Sequence, residues 1–164
     1  LPRPARGAIC GAMKKFLAPF FLVSLLALFG AGCSSSNTIT AGLRVELTGL
    51  AHAADGTTRA DWRVVNPNVV PYLLAQSSHR VYLDGVLIGT IKDKDAMALP
   101  ANNHSARSTT LATAGPAAER TLAAAAAAKS ASYRIESDII IRLYGDSTER
   151  SGLSSTGTVP VTTK

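Results

Sequence analysis

Cysteine is nearly absent. The 164-residue chain has two, and one of them, Cys10, lies upstream of the first methionine, Met13. That excludes a disulfide-stapled scaffold. Charged residues are scarce, at 17%, and aromatics make up 5%. With 46% hydrophobic residues, the composition is too apolar for a long disordered chain. The length leaves room for one domain and excludes a large multidomain enzyme. The net charge of +6 would invite a polyanion. However, four of the 17 basic residues, Arg3, Arg6, Lys14 and Lys15, precede Cys33, so 13 Lys and Arg face 11 Asp and Glu beyond it. Those 13 are spread along the chain and interleaved with acids. No basic stripe remains, and no nucleic-acid partner is expected. The chain also lacks Gly-x-Ser-x-Gly, a phosphate-binding glycine loop and His-Glu-x-x-His.

What is present begins with a leader. Met13-Lys14-Lys15 is a short positive segment, and residues 16–31 follow without a charge. That run is shorter than the roughly 20 residues of a membrane span and contains Pro19. It has the length of an export-signal core. Gly30-Ala31-Gly32-Cys33-Ser34 closes it. Small residues before a cysteine resemble a bacterial lipobox, with Gly30 standing where leucine is usual. The resemblance implies cleavage before Cys33, a diacylglycerol on its sulfur and an acylated new amino terminus. Two or more acyl chains hold a protein stably on a membrane. The alternative for Cys33 is an ordinary small apolar residue ending a transmembrane helix. Residues 1–12 read as translation upstream of the true start, 13–32 as the signal, 33–38 as a polar tether and 39–164 as the folded domain. Ser34 after the cysteine implies, by resemblance to enterobacterial sorting, the periplasmic face of the outer membrane. The partner expected on this basis is the membrane, through the anchor. Envelope or client proteins are candidates beside it.

Within the domain, hydrophobic period gives the elements. Leu43, Val45 and Leu47 alternate with Arg44, Glu46 and Thr48, a half-buried strand. Ala60, Trp62 and Val64 mark a second, which should stop or bulge at Asn66-Pro67-Asn68. There the asparagine side chains can close turns on the backbone. Residues 79–90 predict a hairpin around Asp84-Gly85, a pair suited to the type I′ turn. The expected register sets Leu83 opposite Val86, Tyr82 opposite Leu87 and Val81 opposite Ile88. Leu99-Pro100 marks an edge or strand end, and 105–112 a weaker polar strand. From Gly115-Pro116 through Glu119 and Leu122 to Lys129 the chain is rich in alanine. This predicts a helix of about 14 residues lying on the domain, with a low-complexity linker as the alternative. Tyr133, Ile135, Ile139, Ile141 and Leu143 share one parity, the mark of a central strand that Gly145-Asp146 should end. Residues 156–162 offer a last short strand, with Pro160 arguing for an edge. About seven strands with one inserted Ala-rich helix predict an all-β fold, an antiparallel β-sandwich.

The order of these pieces is itself informative. Val64-Val65-Asn66-Pro67-Asn68 is followed by Val81-Tyr82-Leu83-Asp84-Gly85-Val86-Leu87-Ile88-Gly89, and then by Leu99-Pro100-Ala101. The succession resembles the late embryogenesis abundant (LEA) type 2 family, also called the water stress and hypersensitive response domain, over residues 39–161. The resemblance implies a fibronectin-III-like, immunoglobulin-like sandwich, commonly exported as a lipoprotein in bacteria. It also implies protection during dehydration or other stress by binding or shielding clients, with no catalytic residues to carry over. The Ala-rich segment departs from the family pattern. Asn66, Pro67, Asn68, Asp84 and Gly85 read as fold-defining turns or, alternatively, as a recognition surface.

The remaining chemistry is sparse. His52, His79 and His104 stand apart in sequence and read as surface or half-buried strand histidines. No metal, no cofactor beyond the lipid on Cys33 and no small-molecule substrate are expected. Asp93 and Asp95, alternating with Lys92 and Lys94, read as a solvated loop or as a weak cation-binding pair. Trp62 is either core or an exposed recognition aromatic. The expected function is non-catalytic. It is either a membrane-anchored stress-protective module or an accessory subunit that presents a sandwich edge to an envelope complex.

Overall fold

The computed structural model describes residues 40–143 and 147–163. The leader, Cys33, the tether and Gly145-Asp146 lie outside the described residues. Alternating burial builds the first hairpin. In β1 (Arg44–His52) the inward residues Val45 and Leu47 give way to Leu50, because Thr48 forms a bulge that flips the parity. Its partner β2 (Thr58–Asn66) keeps strict alternation, burying Thr58, Ala60, Trp62, Val64 and Asn66. Both β3 (Tyr72–Leu83) and β7 (Ser130–Arg142) run long and antiparallel to each other. Between them come β4 (Val86–Asp93), β5 (Met97–Leu99), β6 (Asn103–Thr113) and the helix α1 (Pro116–Ala128). The last strand is β8 (Thr148–Thr163).

The strands form two packed layers. One has the order β6-β2-β1 with the end of β8. In the other, β3 pairs with β7 on one side and with β4 and β5, end to end, on its opposite side. Two strands pass between the layers and close the sandwich. After pairing with β2 through Leu111, β6 gives Ala112 and Thr113 to β4. Strand β8 pairs with β7 through Pro160, then runs parallel to β1 over Val161–Thr163. All pairs are antiparallel except β1–β8. The architecture is the expected immunoglobulin-like all-β fold with one inserted helix.

Three expectations are corrected. First, Val81 opposes Gly89, not Ile88. Ile88 is the extra residue of a bulge, so it points inward while Val86 and Leu87 stay exposed. The bulge turns β4 so that Gly89 meets β6. Second, the last strand is not short. Residues 148–155 carry one large apolar side chain, Leu153, and their pairing with β7 has no apolar period to announce it. Third, Pro160 marks no edge. It sits where β8 leaves β7 for β1, a point at which a missing N–H is tolerated.

The Ala-rich segment is a helix. Gly115, at φ 115°, turns the chain into it, Pro116 opens it and Lys129, at φ 62°, ends it. Leu122 is fully buried with Ala118, Ala125 and Ala126 around it. The small side chains let α1 approach β4 closely, with β1, β3, β7 and β8 also touching it. It closes one end of the sandwich. In the interior, Tyr133 lies over Gly157, directly opposite in register. Burial pushes its phenol above the usual range, opposed by a backbone hydrogen bond at Leu47.

The β4–β6 closure makes a testable demand. A Cβ on Gly89 would overlap the Ala112 carbonyl oxygen and come within 2.8 Å of Leu111 Cγ, whereas one on Gly152 would meet nothing within 4 Å. Gly89→Ala should lower unfolding stability by about 2–3 kcal/mol. Gly152→Ala should change it by less than about 0.5 kcal/mol. Urea denaturation of the two variants measures the difference.

Candidate functional site

The Asn-Pro-Asn segment is built around a buried amide. Asn66 is the last residue of β2, and the inward parity of that strand carries its side chain into the core. Its Nδ2 donates to the carbonyls of Val70 (2.9 Å), Pro100 (3.1 Å) and Leu99 (3.3 Å). Its Oδ1 accepts from the Asn68 N–H at 3.0 Å. Asn68 in turn donates from Nδ2 to the Ala41 carbonyl at 3.1 Å, and its own carbonyl accepts from the Asn102 N–H at 2.9 Å. The Pro67 ring packs against Gly42. One corner thus joins the start of β1, the end of β2, the 67–71 loop and the turn after β5. Asparagine suits the node because one short side chain carries an acceptor and two N–H donors, which the three carbonyls share.

Asp84 and Gly85 occupy the opposite end of β3. Both have positive φ, 46° and 84°, as a type I′ turn requires. The Asp84 N–H donates to the Ser132 carbonyl at 2.9 Å, and Asp84 Oδ1 accepts from the Ser132 N–H at 3.3 Å, so the turn is laced to β7. The twelve residues of β3, roughly 35 Å of strand, separate this turn from Asn66. The structure therefore does not gather the motif residues into one site. What it does bring together is Asn66 with Pro100, from two separate motifs.

His79 reads from the sequence as a surface or half-buried strand histidine. It is instead 0% exposed, in the core between the layers. Its Nδ1 lies 2.8 Å from Ser137 Oγ and its Nε2 2.9 Å from Ser77 Oγ. Its ring lies 4.5 Å from that of Trp62, centre to centre. The inward parity of β3 and β7 forces all three polar side chains inside, where they satisfy one another. Burial pushes the imidazole down to about 4, with the Asp93 charge opposing. Hydroxyls at both ring nitrogens look like a nucleophile and base, but Ser77 and Ser137 are 2% and 4% exposed, buried together with the imidazole they bond. Trp62 is core as well, its Nε1 donating to Thr109 Oγ1 at 3.0 Å.

Asp93 also departs from its solvated-loop reading. It is 7% exposed and paired with Arg107, Nη1 to Oδ2, at 2.6 Å. The same guanidinium donates to the carbonyls of Asp95 (2.8 Å) and Ala96 (3.1 Å), and Ser105 Oγ donates to that of Ala98 at 2.6 Å. These side chains of β6 fasten the break between β4 and β5. Sequence reasoning missed Arg107, whose signal was its shared parity with Leu111 in an otherwise polar strand. Of the other histidines, His104 is exposed and His52 bonds Thr58 Oγ1 at 3.0 Å. Among the described residues no three His, Cys, Asp or Glu side chains converge as metal ligands. On the outer face of β3 and β7, Glu136 takes Arg80 (3.0 Å), Arg134 and the Tyr82 hydroxyl (3.3 Å), and Arg134 lies over the Tyr82 ring at 4.0 Å.

Two predictions follow from these buried groups. Asn66→Ala should cost about 3 kcal/mol, since it strands buried carbonyls. Asn66→Asp should cost more despite its shape, because it sets a carboxylate against three carbonyl oxygens; thermal melts of both variants separate size from hydrogen bonding. For His79, the unfolded chain takes up a proton near pH 6.5 and the folded chain only near 4. The unfolded state therefore binds more protons between these values, and stability falls as pH drops through that window. The loss should reach about 3 kcal/mol by pH 4, with little slope above pH 7. In His79→Gln, urea midpoints across that pH range should lose most of the slope.

No family model matches the chain, and no curated protein does. Solved structures do. The chain is similar to AT1g01470 from Arabidopsis thaliana, with 19% identity over 74% of this chain and 80% of that one, at a TM-score of 0.46. It is similar to a candidate late embryogenesis abundant (LEA) protein, At2g46140.1, with 11% identity over 88% and 86% of the two chains and a TM-score of 0.46. A protein from Archaeoglobus fulgidus gives 13% identity over 72% and 94%, with a TM-score of 0.42. At such identities each is a likeness of fold alone.

Proposed function

We propose that this chain is a non-catalytic binding protein of the bacterial cell envelope. Lipid on Cys33 holds it at the periplasmic face of the outer membrane, where it shields client proteins or membranes during drying or related stress. The anchor rests on the Met13–Cys33 leader pattern, and the protective role on the order of the Asn-Pro-Asn, Leu-Asp-Gly and Leu-Pro-Ala segments. The structural observation that carries the non-catalytic reading is where the reactive groups sit. His79, Ser77, Ser137 and Asp93 are held by one another or by Arg107 inside the sandwich. The outer faces carry self-paired charges such as Glu136 with Arg80 and Arg134, and exposed hydroxyls such as Ser154, Thr156 and Thr158. A surface of this kind favours many weak, hydrated contacts over one tight pocket.

One observation favours the second reading, an accessory subunit. Over Thr148–Thr158, β8 pairs with β7 and with no other described strand. A strand edge of that length can accept an added strand. The test is survival of a labile enzyme after drying with the purified protein, against an equal mass of an unrelated β-sandwich. Protection above the control at near-equimolar ratio is expected. Survival equal to the control, with one envelope protein co-purifying stoichiometrically, would replace the protective reading with the accessory one.

A further inference from the structure

Four large apolar residues are exposed among the described residues, and they lie at opposite ends of the sandwich. Val86 and Leu87 follow the Asp84-Gly85 turn, each 37% exposed. Val69 and Val70, in the loop between β2 and β3, are 79% and 42% exposed. The second pair is not displayed by slack chain. Its loop is flanked by Pro67 and Pro71, Asn66 holds it from inside through the Val70 carbonyl and the Asn68 N–H, and Asn68 joins it to Ala41 and Asn102. Displaying two valines on a fixed loop removes the ordering penalty from whatever contact they make.

The bond from Asn68 to Ala41 also places this loop beside the point where the chain enters the domain. Seven peptide units separate Cys33 from Thr40, a contour of at most ~25 Å. Acyl chains on Cys33 would therefore keep this corner within a short reach of the bilayer, at high effective concentration. The same end carries two exposed arginines, Arg142, opposite Leu73 in register and suited to a phosphate headgroup, and Arg44, opposite Val65 and 3.9 Å from Glu46. The opposite end is closed by α1.

We infer that Val69 and Val70 insert into the leaflet that anchors Cys33, so that the Asn66 corner faces the membrane and the Asp84 turn points away from it. This rests on the lipid-anchor reading above. A surface loop with two apolar side chains adds little affinity alone, but beside an acyl anchor it fixes the orientation of the domain.

The test uses the mature, acylated chain beginning at Cys33, whose one cysteine thiol carries the lipid, reconstituted into vesicles of phosphatidylethanolamine and phosphatidylglycerol. An environment-sensitive fluorophore is attached at Val69→Cys or, as control, at Leu87→Cys. Fatty-acid labelling that disappears in Cys33→Ala establishes the anchor first. The expected result is a blue-shifted probe at position 69, quenched severalfold more by nitroxide lipids than the probe at 87. Adding Val70→Asp should return the probe at 69 toward the aqueous signal with an unchanged melting temperature. Equal, water-like probes in an acylated protein would overturn the insertion and leave the anchor standing. A blue shift at 69 without lipid quenching would assign the valines to a second copy of the chain and also overturn it. Fatty-acid label equal in Cys33→Ala would remove the anchor and the insertion together.

Discussion

A single side-chain amide sits where four segments of this sandwich must meet. Asn66 ends β2 on its inward parity, so its position in the core is set by the same alternation that buries Trp62 and Val64. An amide buried without partners would be strongly unfavourable. It is stable there because the 67–71 loop and the end of β5 bring carbonyls to it, and because the Asn68 N–H turns back to its oxygen. The dependence is mutual: the loop keeps its two valines exposed and is fixed by the amide, which also ties it to the end of β5, where Leu99 is buried in the core. Without the amide, the 67–71 loop would lose its inner support, and with it the placing of Asn68, whose bond to Ala41 ties the start of β1 to the same corner.

Closure of the sandwich imposes the second constraint. Two layers joined only through their faces would leave long bare edges. Here β6 and β8 each change layer, and each change needs a residue that gives up something. Gly89 gives up its side chain, so that β4 can approach Ala112. Pro160 lacks an N–H at the step where β8 exchanges β7 for β1. Where β4 breaks before β5, side chains replace backbone pairing, and Arg107 and Ser105 satisfy carbonyls that a continuous strand would have bonded. The buried Asp93 neutralises that arginine, so of the two aspartates only Asp95, with Lys92 and Lys94, is exposed as a solvated loop would have it.

The legible parts of this fold were those in which one local rule acts alone. Tyr133, Ile135, Ile139 and Ile141 share one parity, and β7 follows them. Asp84-Gly85 tolerates positive φ, and the turn sits there. The illegible parts are those decided by a distant partner. The bulge at Ile88 exists because β4 must meet β6, a pairing more than twenty residues away in sequence. The first half of β8 is a strand because β7 offers every one of its residues 148–155 a partner in register, although those residues are mostly polar. His79 read as a surface or half-buried strand residue because its partners, Ser77 and Ser137, are a neighbour on its own strand and a residue across the sheet. The inward parity of Ser137 among isoleucines was the available signal. As for the candidate site, the turn residues were visible one by one, but the meeting of Asn66 with Pro100 was not, because it depends on how β3 and β5 pair.

These constraints also bear on where activity can reside. A histidine between two serines would be reactive on a surface, but in this core its low proton affinity and its two short hydrogen bonds hold it as a neutral packing element beside Trp62. Moving it toward solvent would break the β3–β7 ladder that organises one whole layer. What can meet a partner without disturbing either layer lies at the rim: the exposed valines of the 67–71 loop, the outer edge of the first half of β8 and the exposed Val86 and Leu87 beside the hairpin tip. Of these, the loop is the one whose shape is fixed from inside by a buried group while its side chains remain in water. A surface that is both apolar and already ordered loses little conformational freedom on binding. That favours the Asn66 corner over the more polar edge of β8 as the place where this domain meets a surface larger than itself.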